Sequence, residues 1–575
     1  MARDTEDDWV SRMADEVIAA AERRAPTKPV VVASGLSPSG PIHLGNLREV
    51  MTPHLVADEI RRRGIECVHI LSWDDYDRFR RVPAGIDASW SRHIGKPLTS
   101  VPAPEGSRHA NWAEHFKAPM IAAAGRLGIE FIGISQTERY TSGSYSAQVL
   151  LAMRARARID AVLDRHRTKP KPDGDPRRPS RLTADESLAA RAAAEGSGAA
   201  TEDDGRAGGT YFPYKPYCTF CERDTTTITH YDDDTTEMTY VCECGHTETV
   251  LLATHHRGKL VWKVDWPMRW AYEGVIFEPS GVDHQSPGSS FVVGGELVRE
   301  IFGGEQPIGP MYAFVGISGM AKMSSSKGSV PTPSDALEIM EPQVLRWLYA
   351  RRKPQQSFTV AFDQEIFRLY DEWDALGRKV GGGTASPSHA AAFVRAVGTA
   401  AGPLPRTPVA LPYRTLASIV DITTGDAAQV LRILRDLDPE NPPIDRLDDV
   451  RPRLDCAGAW VMTQMPADQR TFVRGEPDAE LLATLSPSER DSLAMLLDRL
   501  DEHWSLDGLT TLVYAIPKLA AGLQMDAEPT PELKAAQRQF FALLYTLLVG
   551  RDTGPRLPTL LLAIGSARVR SLLGG

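Results

Sequence analysis

Cysteine is scarce. Six residues in a chain of 575 are too few for a disulfide framework at this size. Four of the six cluster, which points to a metal site in a reducing cytoplasm. Long hydrophobic runs are also missing. No stretch reaches the length needed to span a bilayer, and Met1–Asp8 is acidic without the shape of a signal peptide, so a cytoplasmic chain with no membrane partner is expected. Positive charge is in deficit: the formal net charge of -10 argues against blanket attraction to nucleic acid and leaves room only for a local basic groove. What is present is ordinary for a globular protein, 42% hydrophobic and 24% charged, and the length suggests several domains.

Two short stretches, far apart in sequence, carry the chemistry. The first is Pro38-Ser39-Gly40-Pro41-Ile42-His43-Leu44-Gly45-Asn46, which follows the apolar run Pro29–Ala33 and precedes a helical pattern at Leu47, Val50, Met51 and Leu55. Pro53 lies inside that pattern and is expected to kink the helix or sit in its first turns. Strand, Gly/Ser turn and helix start is the order that presents backbone N–H groups to a phosphate. The second is Lys322-Met323-Ser324-Ser325-Ser326-Lys327-Gly328, in a polar loop after the apolar run Tyr312–Ile317. Two lysines on a small mobile loop can close on the same phosphates from the far side. Together they imply nucleotide chemistry at the carboxyl edge of a parallel sheet.

The remaining chain fits that scheme. Asp8–Arg24 reads as an amphipathic helix, and Val30–Ala33, Ile65–Trp73 and Ile129–Ile134 as strands, the first two forming a β-α-β unit. Asp74-Asp75-Tyr76-Asp77-Arg78 follows a strand. Acidic clusters are more often solvated turns, but a strand's carboxyl end is where a crevice opens. Ser144–Arg167 reads as one long helix. Residues 168–209 change to Pro/Gly/Ala-rich sequence and are expected to be a mobile insertion, with a short helix at Ala184–Ala194. Cys218-Thr-Phe-Cys221 and Cys242-Glu-Cys244-Gly-His246 have the spacing of a four-sulfur zinc ribbon, with His246 able to replace one thiol. Such a closed site is structural; buried reduced cysteines are the plainer alternative. Leu260–Trp270 alternates charged residues with tryptophans, which suggests a strand with one functional face, and Gly281-Val-Asp283-His284 can offer a carboxylate to a ribose diol. After Pro342 a series of amphipathic helices runs to Leu573 without a catalytic constellation.

These motifs resemble the HIGH and KMSKS signatures of class I aminoacyl-tRNA synthetases. With Ser34–Asn46, Asp74–Arg78, the cysteine pairs, Trp262–Trp270, Glu278–His284 and Met323–Gly328 taken together, the chain looks like a class I lysyl-tRNA synthetase over roughly residues 8–360. The resemblance implies a Rossmann-like α/β catalytic domain over 25–340 after an N-terminal helix (1–24). Within it lie the insertion at 168–209, a zinc-ribbon-like insertion at 210–258 and the loop at 320–330, and an α-helical anticodon-side domain follows over 341–575. It implies lysine–tRNA ligase activity with ATP, Mg²⁺ and structural Zn²⁺, acting on L-lysine and tRNA(Lys), in a monomer.

By the same resemblance, His43, Asn46, Lys322 and Lys327 would be catalytic. ATP would be held by Pro38, Ser39, Gly40, His43, Gly45, Asn46, Gly281, Asp283 and the loop Lys322, Met323, Ser324, Ser325, Ser326, Lys327. Lysine would be held by Gly35, Ser37, Trp262, His284 and Tyr312. Its ammonium needs a carboxylate if desolvated, and Asp74, Asp75 and Asp77 all remain open for that role. Two departures stand out: residues 168–209 look like an added segment, and Ser37 stands where the family often has Thr. A synthetase-like protein that activates an amino acid for a non-tRNA acceptor is the alternative reading.

Overall fold

The computed structural model describes residues 8–25, 27–83, 86–166, 206–207, 210–318, 330–423, 427–437, 444–528 and 530–574. The lysine loop Lys322–Gly328, nearly all of the expected insertion at 168–209 and its helix at Ala184–Ala194 lie outside the described residues. The chain forms two compact units. One comprises Met1–Ala336, Pro342–Val360 and Lys379–Leu404; the other comprises Leu337–Glu341, Ala361–Arg378 and Pro405–Gly575.

A parallel sheet organises the first unit. Strand β1 (Val30–Leu36) pairs with β2 (Cys67–Trp73) from Val30↔Cys67 to Leu36↔Trp73, and β2 pairs with β3 (Ile132–Ser135). On the other side of β1, parallel bridges join Val32 to Phe277 and Phe277 to Ile308, and Ser280–Gly281 runs parallel to Met311–Tyr312. Every one of these segments therefore ends at the same edge of the sheet. Apolar residues fill both faces of β1 and β2, as a sheet covered on two sides requires. Helices α2 (Leu47–Arg62) and α3 (Trp112–Arg126) make the crossovers. Pro53 sits inside α2, buried in its second turn.

Two expectations about local structure are corrected. Trp262–Trp270 is a helix (Trp262–Glu273), not a strand. Its tryptophans fall at i, i+4 and i+8, so the rings share one face: Trp262 stacks on Trp266 with centroids 5.1 Å apart, and Trp266 and Trp270 pack with Phe291 onto Ala33, Ile70 and Ile134 of the sheet. The single helix expected over Ser144–Arg167 is two, Ser146–Arg154 and Arg156–His166, meeting at Ala155. At the break Arg156 turns to grip the Met153 carbonyl and Asp233, each at 2.7 Å.

Residues 342–360 and 379–404, expected in the C-terminal domain, belong to the first unit. Arg346, fully buried in the helix Pro342–Ala350, explains why. Its guanidinium donates to the carbonyls of Leu127 (2.7 Å) and Arg395 (2.8 and 3.1 Å) and meets His54 (3.0 Å). The helix α1 (Trp9–Arg24) joins the same unit, its Trp9 indole donating to the Ala350 carbonyl.

The second unit is helical around a buried charge knot. Arg453, 2% exposed, donates to Glu341 (2.7 Å) and Asp374 (2.9 Å), and Thr407 donates to the other oxygen of Glu341. The guanidinium also lies over the Tyr370 ring, which stacks on Tyr413 at 4.2 Å. Removing one member of a buried pair leaves the other unpaired. Arg453→Met is therefore expected to destabilise this unit by about 3–5 kcal/mol in urea unfolding followed by circular dichroism; an unshifted midpoint would show the knot to be dispensable.

Candidate active site

The segment after β1 is held in place before any ligand arrives. The Trp112 indole donates to the Ser39 carbonyl at 3.1 Å, and a short 3₁₀ turn, Leu44–Asn46, leads into α2. Leu44 carries two ties. Its N–H donates to the Pro331 carbonyl at 2.7 Å, and its carbonyl accepts from the Tyr349 hydroxyl at 3.2 Å. The first tie joins the His43 segment to the residues on which the chain emerges from the lysine loop. A Cβ at position 45 would stand 2.9 Å from His43 Nδ1, so a larger residue there would displace the imidazole. His43 Nε2 is shielded and has no hydrogen-bond partner among the described residues, and burial holds its pKa below the usual value, so the ring is neutral near pH 7. A neutral imidazole at the entrance to a helix can donate an N–H to a phosphate oxygen.

Beyond β2 the three aspartates part company. Asp75, wholly buried, takes four donors: Lys117 (2.6 Å), Ser135 (2.7 Å), and the N–H (2.8 Å) and hydroxyl (3.1 Å) of Thr137. Its lone pairs are spent inside the fold, which removes it as a partner for a ligand. Asp77 pairs with Lys259, and although burial works to raise its pKa, Lys259 and Arg80 hold it below the usual value. Asp74 accepts from Arg269 at 2.6 Å, but Arg269 is shared with Asp265 on its own helix. Burial and the neighbouring Asp77 outweigh Arg269, and the Asp74 carboxyl is pushed up to about 6.

Two further carboxylates join Asp74. Glu278 is buried between the indole N–H groups of Trp266 (3.1 Å) and Trp270 (2.6 Å), and burial pushes it up to about 7. Glu49, in the first turn of α2, accepts from the Tyr312 hydroxyl and from the Gly35 backbone; burial, then Glu278 and Asp74, hold its pKa well above the usual value. Neither had been given a role from the sequence. Glu278 stood in a quoted motif, and Glu49 sits one helical turn past Asn46, so position alone offered a signal for both.

The other expected residues gather around this cluster. Tyr312 packs its ring over Gly281, 3.6 Å from where a Cβ would be. Trp266 meets His284 edge-on at 5.5 Å, and Arg269 lies over Trp262 at 5.6 Å. Gly35 closes the ring through Glu49, while Ser37 and His284 are half-buried and Asp283 is exposed. Pro38, Ser39, Gly40, His43, Gly45 and Asn46 thus stand at the same sheet edge as Gly281 and Tyr312. Lys322 to Lys327 fall outside the described residues.

The cysteine ribbon is a three-stranded antiparallel sheet (Thr226–Tyr231, Glu237–Cys242, Thr247–Leu251). Cys218 and Cys221 lie on a knuckle closed by Glu222 N–H to the Cys218 carbonyl, with Glu222 in the left-handed region at φ 63°. Cys242 and Cys244 sit at the next turn, where Gly245 takes φ +89°. All four Sγ atoms lie within 4.8 Å of one another, with pairs at 3.6 and 3.8 Å. A tetrahedral zinc with bonds of about 2.3 Å needs S–S edges of about 3.8 Å, so the four thiols fit a metal ion. His246 is not needed: it stacks on Phe220 and turns to Thr219 (3.2 Å) and Glu248 (3.6 Å). The ribbon is fastened to the loop after β2 by the Tyr217 hydroxyl on the Tyr76 carbonyl and by Lys96–Glu222.

Residues 7–398 match the family described as tRNA synthetases class I (K). Over 576 residues the chain is 69% identical to a lysine–tRNA ligase of Streptomyces coelicolor, covering 99% of this chain and 98% of that protein. It is 32% identical to a lysine–tRNA ligase of Thermococcus kodakarensis, covering 97% of each, and 30% identical to one of Treponema pallidum, covering 98% of each. A family match over more than half the chain, together with a relative this similar from end to end, means that the chain belongs to the class I (K) tRNA synthetases.

Proposed function

We infer that this enzyme is an ATP-dependent lysine–tRNA ligase. It joins L-lysine to ATP as lysyl-adenylate with release of pyrophosphate, then passes the lysyl group to the 3′-terminal adenosine of tRNA(Lys). Its full-length relatives are lysine–tRNA ligases, and nothing favours a non-tRNA acceptor. In this reading it works as a monomer in the cytoplasm; no described helix is long and apolar enough to cross a membrane.

The observation that carries the substrate assignment is the cluster of Glu49, Asp74 and Glu278. Burial raises the pKa of all three carboxyls, and Asp74 adds to the rise at Glu278 and, with Glu278, at Glu49, which makes a site short of positive charge. Lysine brings two ammonium groups, which suits such a site. Asp74 is the partner we assign to the side-chain ammonium, with Gly35, Ser37, Trp262, His284 and Tyr312 around it. In activation, a lysine carboxylate oxygen attacks the α-phosphorus as the bond to pyrophosphate breaks. No protein nucleophile is needed; positioning and charge stabilisation suffice. His43 and Asn46 would contact the triphosphate, Gly281 and Asp283 the ribose, and Lys322 and Lys327 the departing pyrophosphate. Pro38, Ser39, Gly40, Gly45 and Met323–Ser326 would complete the ATP site. Mg²⁺ would supply positive charge that offsets the charge of the triphosphate. Zn²⁺ would be held by Cys218, Cys221, Cys242 and Cys244 and would serve the fold.

A carboxyl must be ionised to pair with an ammonium. The KM for lysine is therefore expected to fall as the pH rises from 5.5 through 7 and then level off, following the groups near 6 and 7. A flat profile in ATP–pyrophosphate exchange, measured with tRNA present, would count against the cluster. Asp74→Asn is expected to raise the lysine KM about 30-fold or more with little change in the ATP KM; equal changes in both would move the assignment elsewhere. Lys327→Ala is expected to slow activation by about 10²–10³-fold with the fold intact; an unchanged rate would remove the loop from the reaction. Cys218→Ser is expected to lose zinc by atomic absorption and to expose the ribbon to trypsin, and full metal content would overturn the zinc reading.

A further inference from the structure

The first turn of α2 carries a cation where a helix favours an anion. Arg48 is the second residue of that helix and 3% exposed, and the aligned peptide dipoles oppose positive charge there. Among the described residues no carboxylate pairs with it; burial pulls its pKa down to about 10, so it stays charged near pH 7. Its guanidinium donates instead to two carbonyls, Ala313 at 3.0 Å and Lys353 at 2.9 Å, and lies 5.2 Å from the centre of the Phe358 ring.

The two acceptors are joined to each other. The Ala313 N–H donates to the Pro354 carbonyl at 2.9 Å, so Arg48, Ala313 and the Lys353-Pro354 turn close a ring of hydrogen bonds. Ala313 stands two residues before the strand Val315–Ser318, along which the chain runs towards the lysine loop. The limb by which the chain leaves that loop is held at the same helix entrance: the Pro331 carbonyl accepts from Leu44, four positions before Arg48. Phe358 meets Tyr349 edge-on at 4.9 Å, and the Tyr349 hydroxyl donates to the Leu44 carbonyl, so the ring over the guanidinium supports this second tie as well. Both limbs are thus hung on one turn, the first by Arg48 and the second by Leu44. A planar, forked guanidinium sets two carbonyls in one geometry, which the point charge of an ammonium does not.

We propose that Arg48 is a positioning residue for adenylate formation: by fixing the limb at Ala313 relative to the turn Leu44–Asn46, it sets the spacing between His43 and the lysines that follow that limb. The proposal rests on the reading in which Lys322 and Lys327 meet the departing pyrophosphate. Arg48 itself touches no substrate in this role. Its effect falls on the step in which pyrophosphate leaves, and spares the later transfer of the lysyl group to tRNA, when pyrophosphate has gone. A displacement of about 1 Å is enough to cost about 10²-fold in a step that depends on positioning.

Arg48→Lys, which keeps the charge and loses the fork, and Arg48→Gln, which loses both, test it in the full-length enzyme. In each, the kcat of lysine-dependent ATP–pyrophosphate exchange with tRNA present is expected to fall about 10–100-fold. Single-turnover transfer from added lysyl-adenylate to tRNA(Lys) is expected to stay within about 2-fold of wild type. In a Lys327→Ala background the cost of Arg48→Lys is expected to shrink to less than about 3-fold, because the two changes then act on one contact. Exchange at the wild-type rate, equal losses in activation and transfer in both variants, or losses that multiply in full in the double variant would each overturn the proposal and leave Arg48 a part of the scaffold. Absence of lysine-dependent exchange in the wild-type enzyme would instead overturn the functional reading.

Discussion

A buried chain of alternating charges holds the catalytic unit together. Asp77 pairs with Lys259, Lys259 reaches Asp265, Asp265 shares Arg269, and Arg269 ends on Asp74, with the Tyr140 hydroxyl donating to Asp265 at 2.6 Å. The chain ties the loop after β2, the exit strand of the cysteine ribbon, the short helix Gln136–Thr141 after β3 and the tryptophan helix to one another. Buried ions must be paired, so each of these elements is restrained by the others. The pairing is incomplete at one end. Asp74 shares its Arg269 partner with Asp265, and among the described residues Glu49 and Glu278 nearby are hydrogen-bonded by indole, hydroxyl and backbone donors. The same network that fixes the scaffold leaves its surplus negative charge where the strands end. On the functional reading above, a substrate with two ammonium groups completes it.

A second constraint is the pair of hydrogen bonds at Leu44. They fasten the entrance to α2 both to Pro331 and to the helix that carries Tyr349. Two motifs nearly 300 positions apart thereby share one anchor, since Pro331 follows the lysine loop by three residues. The glycine at 45 serves this closeness, not backbone freedom: its side chain is missing because the imidazole of His43 fills that space.

Much of this was legible in the chain. Apolar runs at Val30–Ala33 and Ile65–Trp73 became parallel strands because both faces are covered, and the cysteine spacing led to four thiols in one small volume. The tryptophan stretch misled because charges that alternate with rings fit a strand's period as readily as residues at i and i+4 fit a helix. Packing against Ala33, Ile70 and Ile134 decided between them. The three aspartates after β2 were indistinguishable by position. Their roles separated only when Lys117, Lys259 and Arg269 arrived from other elements.

The sequence by itself determined the family, the strand–turn–helix segment at Val30–Arg62 and the thiol quartet, because each rests on residues close in the chain and on backbone geometry that local sequence dictates. Only the tertiary structure decided which carboxylates are consumed inside and which stay short of a cation, that Glu49 and Glu278 join Asp74, and that residues 342–360 belong with the sheet. Those outcomes depend on burial and on charges brought from distant parts of the chain, and neither can be read from spacing.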